Sequence, residues 1–147
     1  MTSDYYDTGI LLKLYTNEPE SLAVERFVKQ RRRALRVTDL HVTESMNALQ
    51  LKAFRGECSQ EQAHVAIGLI EDDLRSGILR ISSMDWPEVW KICQTLTRTH
   101  SADYGTRTLD ILHIACAILL HTRNFITSDS RQANLAKTCG LRVQNPV

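Results

Sequence analysis

Five short runs rich in β-branched and aromatic residues, "DYYD", "LRVTD", "ILRIS", "NFITSD" and "LRVQN", are separated from one another by stretches with helical apolar spacing. Strands with a helix between them cannot be joined by a tight hairpin. They are joined by crossovers, and crossovers give parallel pairs with a right-handed connection. The pattern therefore predicts an α/β fold, with a mainly parallel sheet of four or five short strands covered by helices on both faces. Sites in such sheets form at the carboxyl ends of the strands. A length of 147 residues allows one domain with a sizeable core and is too short for two ordinary ones, so a single domain over 1–147 is expected.

Helix boundaries are marked by capping residues. Asn17, with Pro19 close behind, is expected to cap a helix through "SLAVERFVKQRRR", whose terminal cations suit a helix C-terminus. "LHVTESMNALQLKAFRG" reads as a helix stopping at Gly56. Ser59 and Gln62 form a capping box, and Gly77 closes that helix. Asp85, Pro87 and Glu88 open "WPEVWKICQTLTRTH", the polar "SADYGT" is expected to be a loop, and "RTLDILHIACAILLHT" is an apolar helix. Asp129 with Gln132 resembles a second capping box ahead of "RQANLAKTCG".

Composition removes several function classes. The longest apolar stretch, "ILHIACAILL", is of buried-helix length and well short of the roughly 20 residues a membrane span requires. The N-terminus shows no basic start followed by an apolar core, so a cytoplasmic protein without membrane partners is expected. Cys58, Cys93, Cys116 and Cys139 lie far apart without a C-x-x-C pair, the spacing of ordinary thiols rather than of a zinc site. A net charge of +1 leaves nucleic-acid binding open, because such binding needs a local basic surface and not a basic total.

The chemistry-bearing residues are four acids. Asp7 ends the first strand and Asp129 follows the fourth. Glu44 sits on a helix with Leu40, Ala48 and Leu51 at i−4, i+4 and i+7, within a largely apolar stripe. Asp110 opens the apolar helix, where the dipole favours it by about 0.3 to 1 kcal/mol but an unpaired buried charge costs several. Each has an ordinary explanation alone, Asp7 and Asp129 as helix caps above all. Brought to one sheet edge, four carboxylates would repel unless a cation neutralised them. Oxygen-only ligands favour Mg²⁺ or Mn²⁺, and such an ion activates water for attack on a phosphodiester.

Four blocks in order, "YYDTGILLKLY", "VTESMNAL", "GTRTLDILHIACAI" and "FITSDSRQANLA", resemble the PIN-domain ribonucleases of the VapC toxin type. The third block, R-x-L-D-x-L-H-x-A, is the most specific. The resemblance implies a three-layer α/β/α fold, frequent homodimers, an antitoxin protein as partner, and cleavage of an RNA substrate by metal-activated water. It places Asp7, Glu44, Asp110 and Asp129 at the metal, with Thr8 and Thr127 in support and Arg107 as an RNA contact. One departure stands out: Gly9 occupies a place where a second hydroxyl or amide is common, leaving Thr8 alone beside Asp7.

Other readings compete. Asp7-Thr8-Gly9 spells the motif of an aspartic protease, but that chemistry needs two such aspartates in a β-rich setting. A non-catalytic PIN-type module binding RNA or protein is the alternative suggested by Gly9. A phosphatase acting on a small ester would also suit the acids. His113, three residues after Asp110, is more often a hydrogen-bonded core residue than a site residue. The Lys29, Arg31, Arg32, Arg33 run suits an RNA backbone or a solvated helix end equally. Trp86 and Trp90 share a helix face and suggest a core or interface.

Overall fold

The computed structural model describes residues 3–147, and the chain is divided between two compact units. The first unit contains the chain up to Asp7 together with Ser83–Pro146. Its strands are β1 (Asp4–Tyr6), β4 (Asn124–Ile126) and β5 (Arg142–Gln144), in the order β1-β4-β5 and parallel throughout. Its helices are α5 (Trp86–Tyr104), α6 (Thr108–Leu119) and α7 (Ser130–Thr138). In α6 every residue from Ile111 to Ala117 is buried, the condition expected of a helix that is apolar on all sides. Each large aliphatic side chain so buried contributes about 1.5 to 3 kcal/mol.

The core of this unit is pinned by an aromatic stack with one polar contact. Tyr5 stacks on Phe125 across the β1–β4 pair at 5.5 Å between ring centroids. Its hydroxyl meets His113 Nδ1 at 2.7 Å, and both residues are buried. His113 is thus a hydrogen-bonded core residue, joining the apolar helix to the sheet. Beside it, burial pushes the thiols of Cys93 and Cys116 up to about 11, so both are protonated and poorly nucleophilic at neutral pH. All four cysteines are free thiols.

The second unit contains Thr8–Ser82. It has helices α1 (Thr8–Leu12), α2 (Ser21–Arg31), α3 (Asp39–Phe54) and α4 (Gln60–Ser76), with strands β2 (Leu35–Val37) and β3 (Leu79–Ile81) paired in parallel. The Ser59 capping box forms as its sequence implies: Gln62 N–H donates to Ser59 Oγ at 3.0 Å and Ser59 N–H to Gln62 Oε1 at 2.8 Å. Gly77 closes α4 at φ 81°, a conformation that strains any residue with a Cβ. No described helix is long and apolar enough to cross a membrane.

Three expectations are corrected. Asn17 does not cap α2: the helix starts at Ser21 behind Glu20, and Ser21 Oγ organises the approach by accepting from Glu18 N–H and donating to the Thr16 carbonyl. The "SADYGT" segment is mostly helical, because α5 continues to Tyr104 and ends only where Gly105 adopts φ 64°. The buried stripe of α3 is His41, Ser45 and Leu49, one position round from the stripe containing Glu44, and Leu51 is exposed. Polar residues carry two of its three buried positions, so hydropathy alone points to the wrong face.

The Tyr5–His113 bond should be measurable as stability. Tyr5→Phe keeps the stack on Phe125 but removes the hydroxyl from a buried imidazole, and is expected to cost about 1 to 3 kcal/mol in urea denaturation.

Candidate active site

The carboxyl end of the β1–β4 pair is built by register. Tyr6 is paired with Ile126, and Asp7 N–H donates to the Ile126 carbonyl at 2.9 Å. Asp7 and Thr127 therefore leave neighbouring strands side by side. Thr127 is buried, Asp7 half-buried, and the Thr127 hydroxyl lies 2.9 Å from Asp7 Oδ2 as its donor.

The same hydroxyl gathers the start of α7. It accepts the Asp129 N–H at 3.0 Å and lies 2.8 Å from Gln132 Oε1. Asp129 is the N-cap of α7, its Oδ1 accepting from Gln132 N–H at 2.9 Å. Gln132 is fully buried, and its Nε2 donates to the Asp110 carbonyl at 3.3 Å. One threonine and one glutamine thus connect Asp7, Asp129 and the backbone of Asp110. Sequence reading saw Gln132 only as a capping residue. Its backbone does serve the cap, while its side chain turns inward to the site. A glutamine at a position that must be buried in a short helix was the available signal.

Asp110 stands at the third position of α6. Its Oδ2 accepts the Arg107 N–H at 3.3 Å and lies 3.6 Å from Arg107 Nε. The Arg107 side chain is 77% exposed against 19% for Asp110, so the pair is largely screened and contributes little to stability. Arg107 keeps its outer guanidinium nitrogens toward solvent.

Glu44 lies in the second unit, half-buried on α3. Its Oε1 accepts from the Thr8 hydroxyl at 3.0 Å, so the residue that follows Asp7 in the chain orients this acid. The helix itself is fixed at its start by His41, fully buried, whose Nδ1 accepts Thr38 N–H at 2.9 Å. Gly9, the next residue along, is exposed.

The donor set suits a hard divalent ion in kind. Asp129 Oδ2 and Asp110 Oδ1 make no hydrogen bond or ion pair within the described chain. Among the described residues, no three His, Cys, Asp or Glu side chains are gathered into a group able to hold a metal. Magnesium does not need one: it is commonly held by one or two carboxylates, waters and substrate phosphate.

Removing the glutamine tests the network. Gln132→Leu, near in volume, leaves the Asp110 carbonyl short of a donor and is expected to cost about 1 to 2 kcal/mol. Gln132→Glu places a buried carboxylate against that carbonyl and near Asp7, and is expected to cost more. Urea denaturation of both variants checks the order.

No curated protein matches this chain. Residues 5–138, however, match the PIN domain. Since the match runs from the middle of β1 to the last residue of α7, the chain belongs to the PIN domain family.

Proposed function

We propose that this chain is a metal-dependent endoribonuclease, a single PIN domain serving as the toxin of a toxin–antitoxin pair. PIN domains are generally nucleases and typically use divalent metals. The observation that carries the reading is that Thr127 Oγ1 bonds Asp7 Oδ2 and Gln132 N–H bonds Asp129 Oδ1, which orients two carboxylates far apart in sequence at the carboxyl end of a parallel sheet, with Gln132 Nε2 also holding the peptide carbonyl of Asp110. A network of this kind is costly to build from buried polar groups and is characteristic of places where carboxylate orientation matters.

In this reading a Mg²⁺ or Mn²⁺ ion would take one or two of the carboxylates of Asp7, Asp110 and Asp129 directly and the rest through water, and Glu44 of the second unit is a further candidate ligand. The ion would neutralise charge at the scissile phosphate and lower the pKa of the attacking water. The protein's own part is positional. Thr127 fixes the orientation of Asp7, the α7 cap fixes Asp129, and the α6 cap turns one oxygen of Asp110 toward Arg107. Arg107 is suited to contact an RNA phosphate. Antitoxin binding, a homodimer and a cytoplasmic location belong to the same proposal. Gly9, offering no side chain beside Thr8, favours a second reading as a binding module without catalysis.

Purified protein incubated with mixed cellular RNA should give discrete cuts with Mg²⁺ or Mn²⁺ and none with chelator. Asp7→Asn and Asp110→Asn should abolish cleavage while circular dichroism stays unchanged. Thr127→Val should lower it by about 10- to 100-fold, the usual effect of losing a residue that orients a ligand. Metal-dependent cleavage that survives in either folded Asp variant would remove that residue from the mechanism, and RNA binding without any cleavage would favour the binding module.

A further inference from the structure

In the second unit, Arg36 and Arg80 are register partners on the parallel β2–β3 ladder. Registered neighbours send their side chains to the same face of a sheet. Leu35, Val37 and Leu79 are buried, whereas Arg36 is half-buried and Arg80 exposed, so the two arginines occupy the face opposite that core. Like charges directly opposite on neighbouring strands are destabilising. No carboxylate lies within ion-pair distance of either guanidinium among the described residues.

Each guanidinium is instead tethered through its inner nitrogen. Arg36 Nε donates to Ser82 Oγ at 3.3 Å and Arg80 Nε donates to the Gly77 carbonyl at 3.2 Å. Ser82 lies beyond β3 and Gly77 before it, so the side chains lean in opposite directions along the ladder. The outer nitrogens of both remain uncommitted. Two tethered forks, separated along a line and lacking a counter-ion, complement two negative groups in succession better than one compact anion. Cations on a sheet edge also discourage edge-to-edge aggregation, and β2 and β3 are both edges of their two-stranded sheet, but that role asks nothing of the tethers that hold the two forks in place.

We propose that Arg36 and Arg80 form a binding track for successive backbone phosphates of single-stranded RNA, a contact made in addition to those at the acids. The choice of RNA rests on the ribonuclease reading; the binding itself needs neither metal nor cleavage.

The test is fluorescence anisotropy of a labelled single-stranded RNA oligonucleotide with the full chain in chelator, over a range of salt. The variants are Arg36→Gln, Arg80→Gln, the double variant, the double Arg→Lys variant, and Arg75→Gln as control. Arg75 is already paired with Asp72, so its loss should change little. The double Gln variant should bind about tenfold more weakly at low salt, with the slope of log K against log salt reduced by about 1.4, or 0.7 per lost phosphate contact. Its Tm should be unchanged or higher, because a repulsion has been removed. The Lys variant should recover most of the slope and only part of the affinity, having charge without the tethered fork.

Equal affinity and slope in wild type and double Gln variant would overturn the proposal, as would a loss matched by Arg75→Gln. Absence of RNA binding by the wild-type chain would overturn it too. The two readings fail separately. RNA bound through these arginines but never cut leaves the track standing and sinks the nuclease, whereas metal-dependent cleavage with indifferent arginines does the reverse.

Discussion

The parallel pairing of β1 with β4 is the constraint on which the first unit depends. It joins segments 120 residues apart, as in the Asn124–Asp4 and Thr127–Asp7 side-chain bonds at its two ends. Bringing such distant segments together costs loop-closure entropy, and three-residue strands offer few hydrogen bonds to repay it. Apolar burial repays the rest. Tyr5, Tyr6, Phe125 and Ile126 are all buried, and α6, whose His113 meets Tyr5, is buried from Ile111 to Ala117 with no polar interruption but that histidine. The placement of Asp7 beside Thr127 is therefore a by-product of core packing. Once Tyr6 is opposite Ile126, Asp7 has no position open to it but beside Thr127.

Much of this was legible because it follows from periodicity and from chain punctuation. The five strands fall inside the five β-rich runs, and helix ends at Ser59, Gly77, Asp85 and Asp129 obey local capping chemistry. What escaped were polar residues placed where hydropathy expects apolar ones. His41, Ser45 and Gln132 are all buried, and each looks like a surface residue when read by composition. Mistaking the first two turned α3 by one position, and the mistake about Gln132 concealed the side chain that joins Asp110 to the α7 cap. Long-range partners of this kind leave no mark at fixed spacing. The end of α5 escaped for another reason: Ser101, Asp103 and Tyr104 suit a loop or a last helical turn equally, and only Gly105 resolves the choice.

The two units spend their polar groups differently. In the first, Thr127, Gln132, His113 and the Asn124 amide nitrogen each find a named partner, while Asn124 Oδ1, Ser101 Oγ and Thr106 Oγ1 are buried without one. In the second, β2 and β3 tolerate two cations side by side on their solvent face without a carboxylate between them. A surface under selection for stability alone has simple remedies for such repulsion, a glutamate in place of either arginine being the plainest.

Thr127 has one hydroxyl proton and two acceptors within reach, Asp7 Oδ2 at 2.9 Å and Gln132 Oε1 at 2.8 Å. It cannot serve both at once. A carboxylate oxygen is a stronger acceptor than an amide oxygen, so Asp7 Oδ2 is the preferred partner of that proton. The glutamine that competes for it holds the peptide carbonyl of Asp110 with its other end. The strand end and the α6 start thus depend on a single hydroxyl hydrogen, so the orientation of Asp7 and the seating of α6 are not independent of one another.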